Sequence, residues 1–144
     1  MAAFSEQSLQ RLLTCDTKLQ TLFLHVIKTM DCSIICGRRP KELQDAYFAD
    51  GKSKVEWPNS KHNVLNNWDL SKAVDVAPYI KGKGIVWDKN QCYFFAGYVI
   101  HAATILHIPI RWGGDWDGDS DVNDQTFNDL VHFELKDMQL CTGR

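Results

Sequence analysis

Apolar residues near the start of the chain recur at the spacing of a helix that buries one side. Leu19, Leu22, Phe23, Val26, Ile27 and Met30 follow the i, i+3, i+4, i+7 pattern. A second helix is therefore expected from about Thr14–Asp16 to Met30. A short first helix carrying Leu9, Leu12 and Leu13 precedes it, with Ser5 as N-cap. His25 falls off the apolar stripe and reads as a surface position. Ser33–Cys36 is a short apolar run ending at Gly37, a strand candidate. Pro40 then suits the first turn of a third helix, stopped near Ala49 by Asp50-Gly51.

Between Gly51 and Trp68 the pattern is polar and irregular, so His62 is placed in a loop. Lys72–Val76 reads as a strand with Ala73 and Asp75 on one face and Val74 and Val76 on the other. A long helix is expected from Trp87–Asn90 through His107, followed by an extended segment, Ile108–Trp112. The last strand, Val131–Leu135, puts His132 and Glu134 on one face and Val131, Phe133 and Leu135 toward the core. Helices with short, separated strands predict an α+β fold, a small antiparallel sheet packed by helices. No repeat or linker interrupts the 144 residues, so one domain is expected, with N-terminal helices over 5–30 and a core over about 34–135.

Composition narrows the options. A net charge of -2 argues against a nucleic-acid binder that works through bulk electrostatics. Residues 90–110 carry no Asp, Glu, Lys or Arg, a stretch long enough for a membrane span. The polar Asn90, Gln91, His101 and His107 and the break at Pro109 favour a buried central helix, with no stable membrane insertion. The N-terminus lacks the basic-then-apolar pattern of a signal peptide. Five cysteines (Cys15, Cys32, Cys36, Cys92, Cys141) form no regular framework and read as reduced packing residues.

The candidate chemistry lies in two separated pieces, Ser60-Lys61-His62 with Ala73-Val74-Asp75, and Asp129-Leu130-Val131-His132-Phe133-Glu134. A catalytic zinc usually takes three protein ligands from His and carboxylate and leaves a fourth position for water. His62, Asp75 and His132 supply that set, and Asp129 supplies a neighbouring carboxylate base. Asp69 is a rival ligand in a weaker context. On a strict strand, the odd offset between Asp129 and His132 would turn Asp129 away from the metal. Glu134 shares the His132 face and is a candidate to orient a ligand. Ser60 is a candidate for holding the loop or binding substrate, and Trp112 and Trp116, flanking Gly113-Gly114, for shaping a cleft. His101 and His107 do not share a helix face and read as packing or surface residues. The acidic loop from Asp115 to Asp124 fails the EF-hand template, because Ser120 stands where Gly is needed and Thr126 where Glu is. It reads as a solvated turn with some cation affinity.

In order along the chain, Gly37-Arg38-Arg39-Pro40-Lys41-Glu42-Leu43-Gln44, the Ser60–His62 and Ala73–Asp75 pair, Arg111-Trp112-Gly113-Gly114-Asp115-Trp116 and Asp129–Glu134 together resemble the zinc D-Ala-D-Ala carboxypeptidase superfamily. Within it the chain resembles the phage endolysins that act as L-alanyl-D-glutamate peptidases. The resemblance runs from about Ile34 to Leu135. It implies zinc on His62, Asp75 and His132, Asp129 as acid/base, and Arg39 (or Arg38, one register off) as the substrate-polarising arginine. It further implies peptidoglycan stem peptides as substrate and a monomer made in the host cytoplasm that reaches the wall through a separate permeabilising protein. A D-alanyl-D-alanine carboxypeptidase or dipeptidase, and a non-catalytic wall-binding module, are the alternatives. One departure stands out: the step from His62 to Asp75 is thirteen residues, more than the family commonly shows. An insertion of this kind costs little closure entropy, and it brings Trp68 near the expected groove.

Overall fold

The structure is a computed structural model that describes residues 2–137. Four helices and five strands follow the order α1 (Glu6–Leu12), α2 (Thr17–Val26), β1 (Cys32–Cys36), α3 (Lys41–Ala49), β2 (Ala73–Ile80), β3 (Gly84–Ile85), α4 (Lys89–Ile105), β4 (Ile110–Gly113) and β5 (Asp129–Leu135). The fold is α+β, as expected. Its antiparallel sheet runs β1-β2-β5-β4, with the short β3 paired to the far end of β2.

Side-chain oxygens start three of the helices. Ser5 accepts from the Ser8 amide, Asp16 from Lys18 and Asp88 from Gln91. The α2 helix stops four residues short of the expected Met30. Beyond it, Lys28 and Thr29 donate to carbonyls three residues back, so the apolar stripe continues through a tightened turn after the α-helical ladder ends. The β2 strand runs longer than expected, through Pro78. That proline gives up no needed donor, and its carbonyl accepts from the Val86 amide beyond β3. The α4 helix ends at Ile105, and His107 lies past it in the left-handed region at φ 56°.

One face of the sheet carries the core. Ile34, Val74, Val76, Phe133 and Leu135 meet α2 and α4, with Phe133 edge-on to both Phe23 and Phe95. Val131 is only partly buried, because β5 bulges beside it. The α4 helix buries Cys92, Phe95, Ala96, Val99, Ala102 and Ala103 but leaves Phe94 and Ile105 in solvent, so it is one-sided rather than buried all round. Among the described residues no helix is long and apolar enough to cross a membrane. Cys15, Cys32, Cys36 and Cys92 are free and buried; Cys141 lies outside the described residues.

The opposite face of the sheet carries the polar residues, and register aligns them. Cys36 pairs with Asp75, and Asp75 pairs with His132, forming one row across β1, β2 and β5. The next row is Ala73, Glu134 and Arg111 across β2, β5 and β4. Directly opposed residues have Cβ atoms about 4.5–5.5 Å apart, so strand pairing alone brings these side chains into contact.

Candidate metal centre

Three donor atoms meet at one point above the first row. His62 Nε2 lies 3.1 Å from Asp75 Oδ1 and 3.1 Å from His132 Nδ1, and His132 Nδ1 lies 3.2 Å from Asp75 Oδ1. Metal bonds of about 2.0–2.1 Å in tetrahedral geometry separate neighbouring donors by about 3.3 Å, so the near-equilateral triangle fits a single small cation. All three residues are buried.

Each imidazole is oriented by its other nitrogen. His62 Nδ1–H donates to the Gly37 carbonyl at 2.7 Å, and His132 Nε2–H donates to Glu134 Oε1 at 2.9 Å. Both hydrogen bonds select the tautomer whose lone pair faces the triangle. Asp75 is held likewise: its Oδ2 takes a 3.0 Å bond from Arg39, which leaves Oδ1 for the histidines. The Arg39 guanidinium donates also to Gln44 Oε1 and lies over the Tyr47 ring.

The charge distribution favours a cation. Burial works against a charged His62, but the Asp75 carboxylate outweighs it and pushes the imidazole up to about 10. Burial likewise opposes charge on His132, yet hydrogen bonds to Asp75 and Glu134 raise it. Asp75 is held well below the usual carboxylate range against its own burial by the two histidines. Glu134 is lowered to about 2 against its burial by His132 and Arg111. The site thus attracts positive charge, and a metal ion would replace the protons.

Asp129 lies at the mouth of the triangle, its Oδ2 4.0 Å from His132 Nδ1. Regular alternation would have turned it away. The ladder slips instead: Trp112 faces Phe133, but the next residue, Gly113, faces Asp129. This bulge returns Asp129 to the side of His132. Gly113 is required there, because a Cβ at that position would run into the Asp129 carbonyl. Burial and repulsion from Asp75 raise the Asp129 carboxyl to about 6, near the range of a general base at neutral pH.

The thirteen-residue step does not part the ligands. Lys72 N and Ser71 Oγ both donate to the Lys61 carbonyl, closing the insertion at its base. Leu65 and Trp68 project outward, 77 and 78% exposed, and Trp68 does not line the cleft. Asp69 is exposed and bonded to Asn66, outside the cluster, while Arg38 donates to the Asp69 carbonyl. A cleft of about 550 Å³ opens over the triangle, lined by Arg39, Ser60, His62, Trp116, Asp129 and His132 among others. Ser60 Oγ accepts from the His62 amide, and the Trp116 ring lies 5.4 Å from that of His132. Trp112, by contrast, is 5% exposed and donates its indole N–H to the Leu130 carbonyl, as part of the core.

Cys36 is a residue of this site that sequence reasoning assigned to packing. It offers a sulfur close to His62 and Asp75 as a fourth candidate ligand. Only its register opposite Asp75 signals this. A second cluster, Asp115, Asp117 and Asp119, stands in the acidic loop, where Asp115 accepts from the Ser120 amide.

Two histidines and a carboxylate around one point, with a second carboxylate over an open cleft, form the layout of a metal-dependent hydrolase. The family is more specific. The chain belongs to the phage L-alanyl-D-glutamate peptidase family, whose model matches residues 1–136. It is 26% identical over 125 residues to the L-alanyl-D-glutamate peptidase of Escherichia phage T5, covering 85% of this chain and 87% of that protein. The fold is that of the Serratia marcescens L-Ala D-Glu endopeptidase ChiX, with a TM-score of 0.70 at 22% identity, covering 93% of this chain and 90% of that one. The activity is therefore that of a phage-type peptidoglycan peptidase for the L-alanyl-D-glutamate bond, in preference to the D-alanyl-D-alanine alternatives.

Proposed function

We propose that the chain cuts the L-alanyl-D-glutamate bond of stem peptides with a zinc ion held by His62 Nε2, Asp75 Oδ1 and His132 Nδ1. The donor triangle, with both tautomers held so that lone pairs face inward, is the observation that carries this reading. Bound there, zinc would act as a Lewis acid and lower the pKa of its water to about 7. His and carboxylate donors with one thiol in reserve suit that ion.

The chain's own residues supply the rest. Asp129, at the mouth of the triangle and lining the cleft, accepts the proton of the attacking water and returns it to the leaving amine. Arg39 holds Asp75 in place. Arg39 also lines the cleft, and we assign its guanidinium to the developing oxyanion. Trp116 and Ser60 line the cleft, and both are assigned to the peptide. Trp112 supports this wall from the core instead of touching substrate. We further infer a monomer, made in the bacterial cytoplasm and acting on the wall after the membrane has been permeabilised.

Mass spectrometry of purified peptidoglycan digested by the zinc-loaded protein tests the bond. New alanine carboxyl and glutamate amino termini are expected, and other termini would refute the assignment. Full hydrolysis by Asp129→Ala would refute the mechanism.

A further inference from the structure

The L-alanyl-D-glutamate bond has a chemical consequence for the leaving-group side of the cleft. A glutamate residue carries two carboxyl groups, and chain continuation uses only one. The substrate therefore presents a second carboxyl, free or amidated, a few bonds from the scissile nitrogen. A site for that group must lie beside the metal ligands and present uncommitted hydrogen-bond donors.

We propose that Arg111 is the receptor for the free carboxylate of the substrate's glutamate residue, a specificity determinant of the cleavage assigned above and resting on that assignment. Arg111 lines the cleft, and its side chain is 41% exposed. It stands next to Glu134 in the sheet and donates one 2.9 Å bond to Glu134 Oε2, whose other oxygen holds His132. One imidazole and two hydrogen bonds thus connect the triangle to the guanidinium. Trp116 fixes the same geometry from above, with its ring 5.5 Å from the guanidinium carbon and 5.4 Å from the His132 ring.

Donor accounting separates Arg111 from its neighbour Lys61. A guanidinium has five N–H groups, and one of those of Arg111 is engaged by the described residues. Lys61 donates to the Leu135 carbonyl and to Asp137 and forms an ion pair with Glu134. Lys61 is shared between Glu134 and Asp137, which leaves Arg111 as the cation with open donors at this corner of the cleft. Arginine's planar fork matches a carboxylate bidentately. Lys52 and Lys54 also line the cleft, but among the described residues neither is bonded to a group that holds a metal donor, as Arg111 is to Glu134.

Two synthetic stem peptides test this, identical except that the second carboxyl of the glutamate residue is free in one and a carboxamide in the other. The zinc-loaded wild type is expected to favour the free acid in kcat/KM on the order of tenfold, the effect of one charge-assisted hydrogen bond. In Arg111→Gln that ratio falls to about one, and in Arg111→Lys part of it survives. A ratio within one protein is insensitive to loss of folded or metal-loaded enzyme. A wild-type ratio near one overturns the proposal, as does a ratio retained in Arg111→Gln or one that collapses in Lys54→Met instead. Hydrolysis of neither peptide overturns the functional reading itself, an outcome distinct from loss of selectivity.

Discussion

The two halves of the metal centre are positioned by different means. Asp75, His132 and Glu134 stand on paired strands, where register sets their spacing and a shift of one residue would turn each side chain to the core. His62 stands in a stretch without regular structure between α3 and β2, yet it is 1% exposed and as well placed as the others. Local hydrogen bonds hold it: its ring to Gly37, its carbonyl to the Arg39 amide, and Asn63 to the Arg39 carbonyl and Gln44. The sheet half is intolerant of length changes, whereas the loop half accepts them wherever its base stays closed. Asp129 sits between the two modes, at the strand end where a bulge overrides alternation.

The largest effect is expected there. Asp129→Asn keeps the size and the bulge but removes the proton acceptor, and kcat should fall about 10²–10⁴-fold. Zinc content measured beside the kinetics should stay near one per chain, because Asp129 is outside the triangle. Turnover within tenfold of wild type would assign proton transfer to another group.

Glu134→Gln tests the sheet half. The amide still reaches His132 but no longer bears the charge that selects its tautomer, and it loses the ion pairs to Arg111 and Lys61. Metal affinity should weaken about 10–100-fold, measured by competition with a chelator. An equal loss on replacing Asn63 with Ala would erase the distinction between the halves.

Protons sharpen the same comparison. His62 is raised to about 10 and His132 is also raised, so the metal-free site holds protons at neutral pH that a metal must displace. Affinity should rise about tenfold per pH unit for each proton released. For the metal-free protein the linkage has the opposite sign. A raised histidine pKa contributes stability that is fully present below its ordinary value of about 6.5. That contribution is lost as pH rises through about 10. The Tm difference between zinc-loaded and chelator-treated protein should therefore widen from pH 6 to pH 9. A constant gap would mean that the histidines are not the ligands.

Much of this arrangement was legible in the chain before its fold. Period-two alternation put His132 and Glu134 on one face and Phe133 and Leu135 on the other, and the α2 stripe identified the helix that covers the core. Contacts that depend on register between strands distant in sequence were not legible. Nothing local links Arg111 to Glu134, or Cys36 to Asp75, until the strands pair. The orientation of Asp129 was hidden for a related reason, since alternation argued against it and only the slipped ladder beside Gly113 reverses that. Trp112 and Trp116 share one motif, yet one supports the wall from the core and the other lines the cleft.

The smallest effect is expected in the loop that lengthens the step from His62 to Asp75. Lys61 and Lys72 are already hydrogen-bonded at its base, so residues 65–69 form an excursion whose apolar side chains, Leu65 and Trp68, lie mostly in solvent. Replacing 65–69 with a two-residue Asn-Gly turn removes one tie, from Arg38 to the Asp69 carbonyl. Loop-closure entropy changes by only about 0.6 kcal/mol for each doubling of length, and a shorter loop gains in that term. Steady-state assays should then give kcat/KM within about threefold of wild type, with unchanged zinc content. A loss of tenfold or more with zinc retained would show that the excursion contacts the polymeric substrate. Loss of zinc would show that the His62 loop depends on its full length, and that the two halves of the centre are not built as differently as their hydrogen bonds imply.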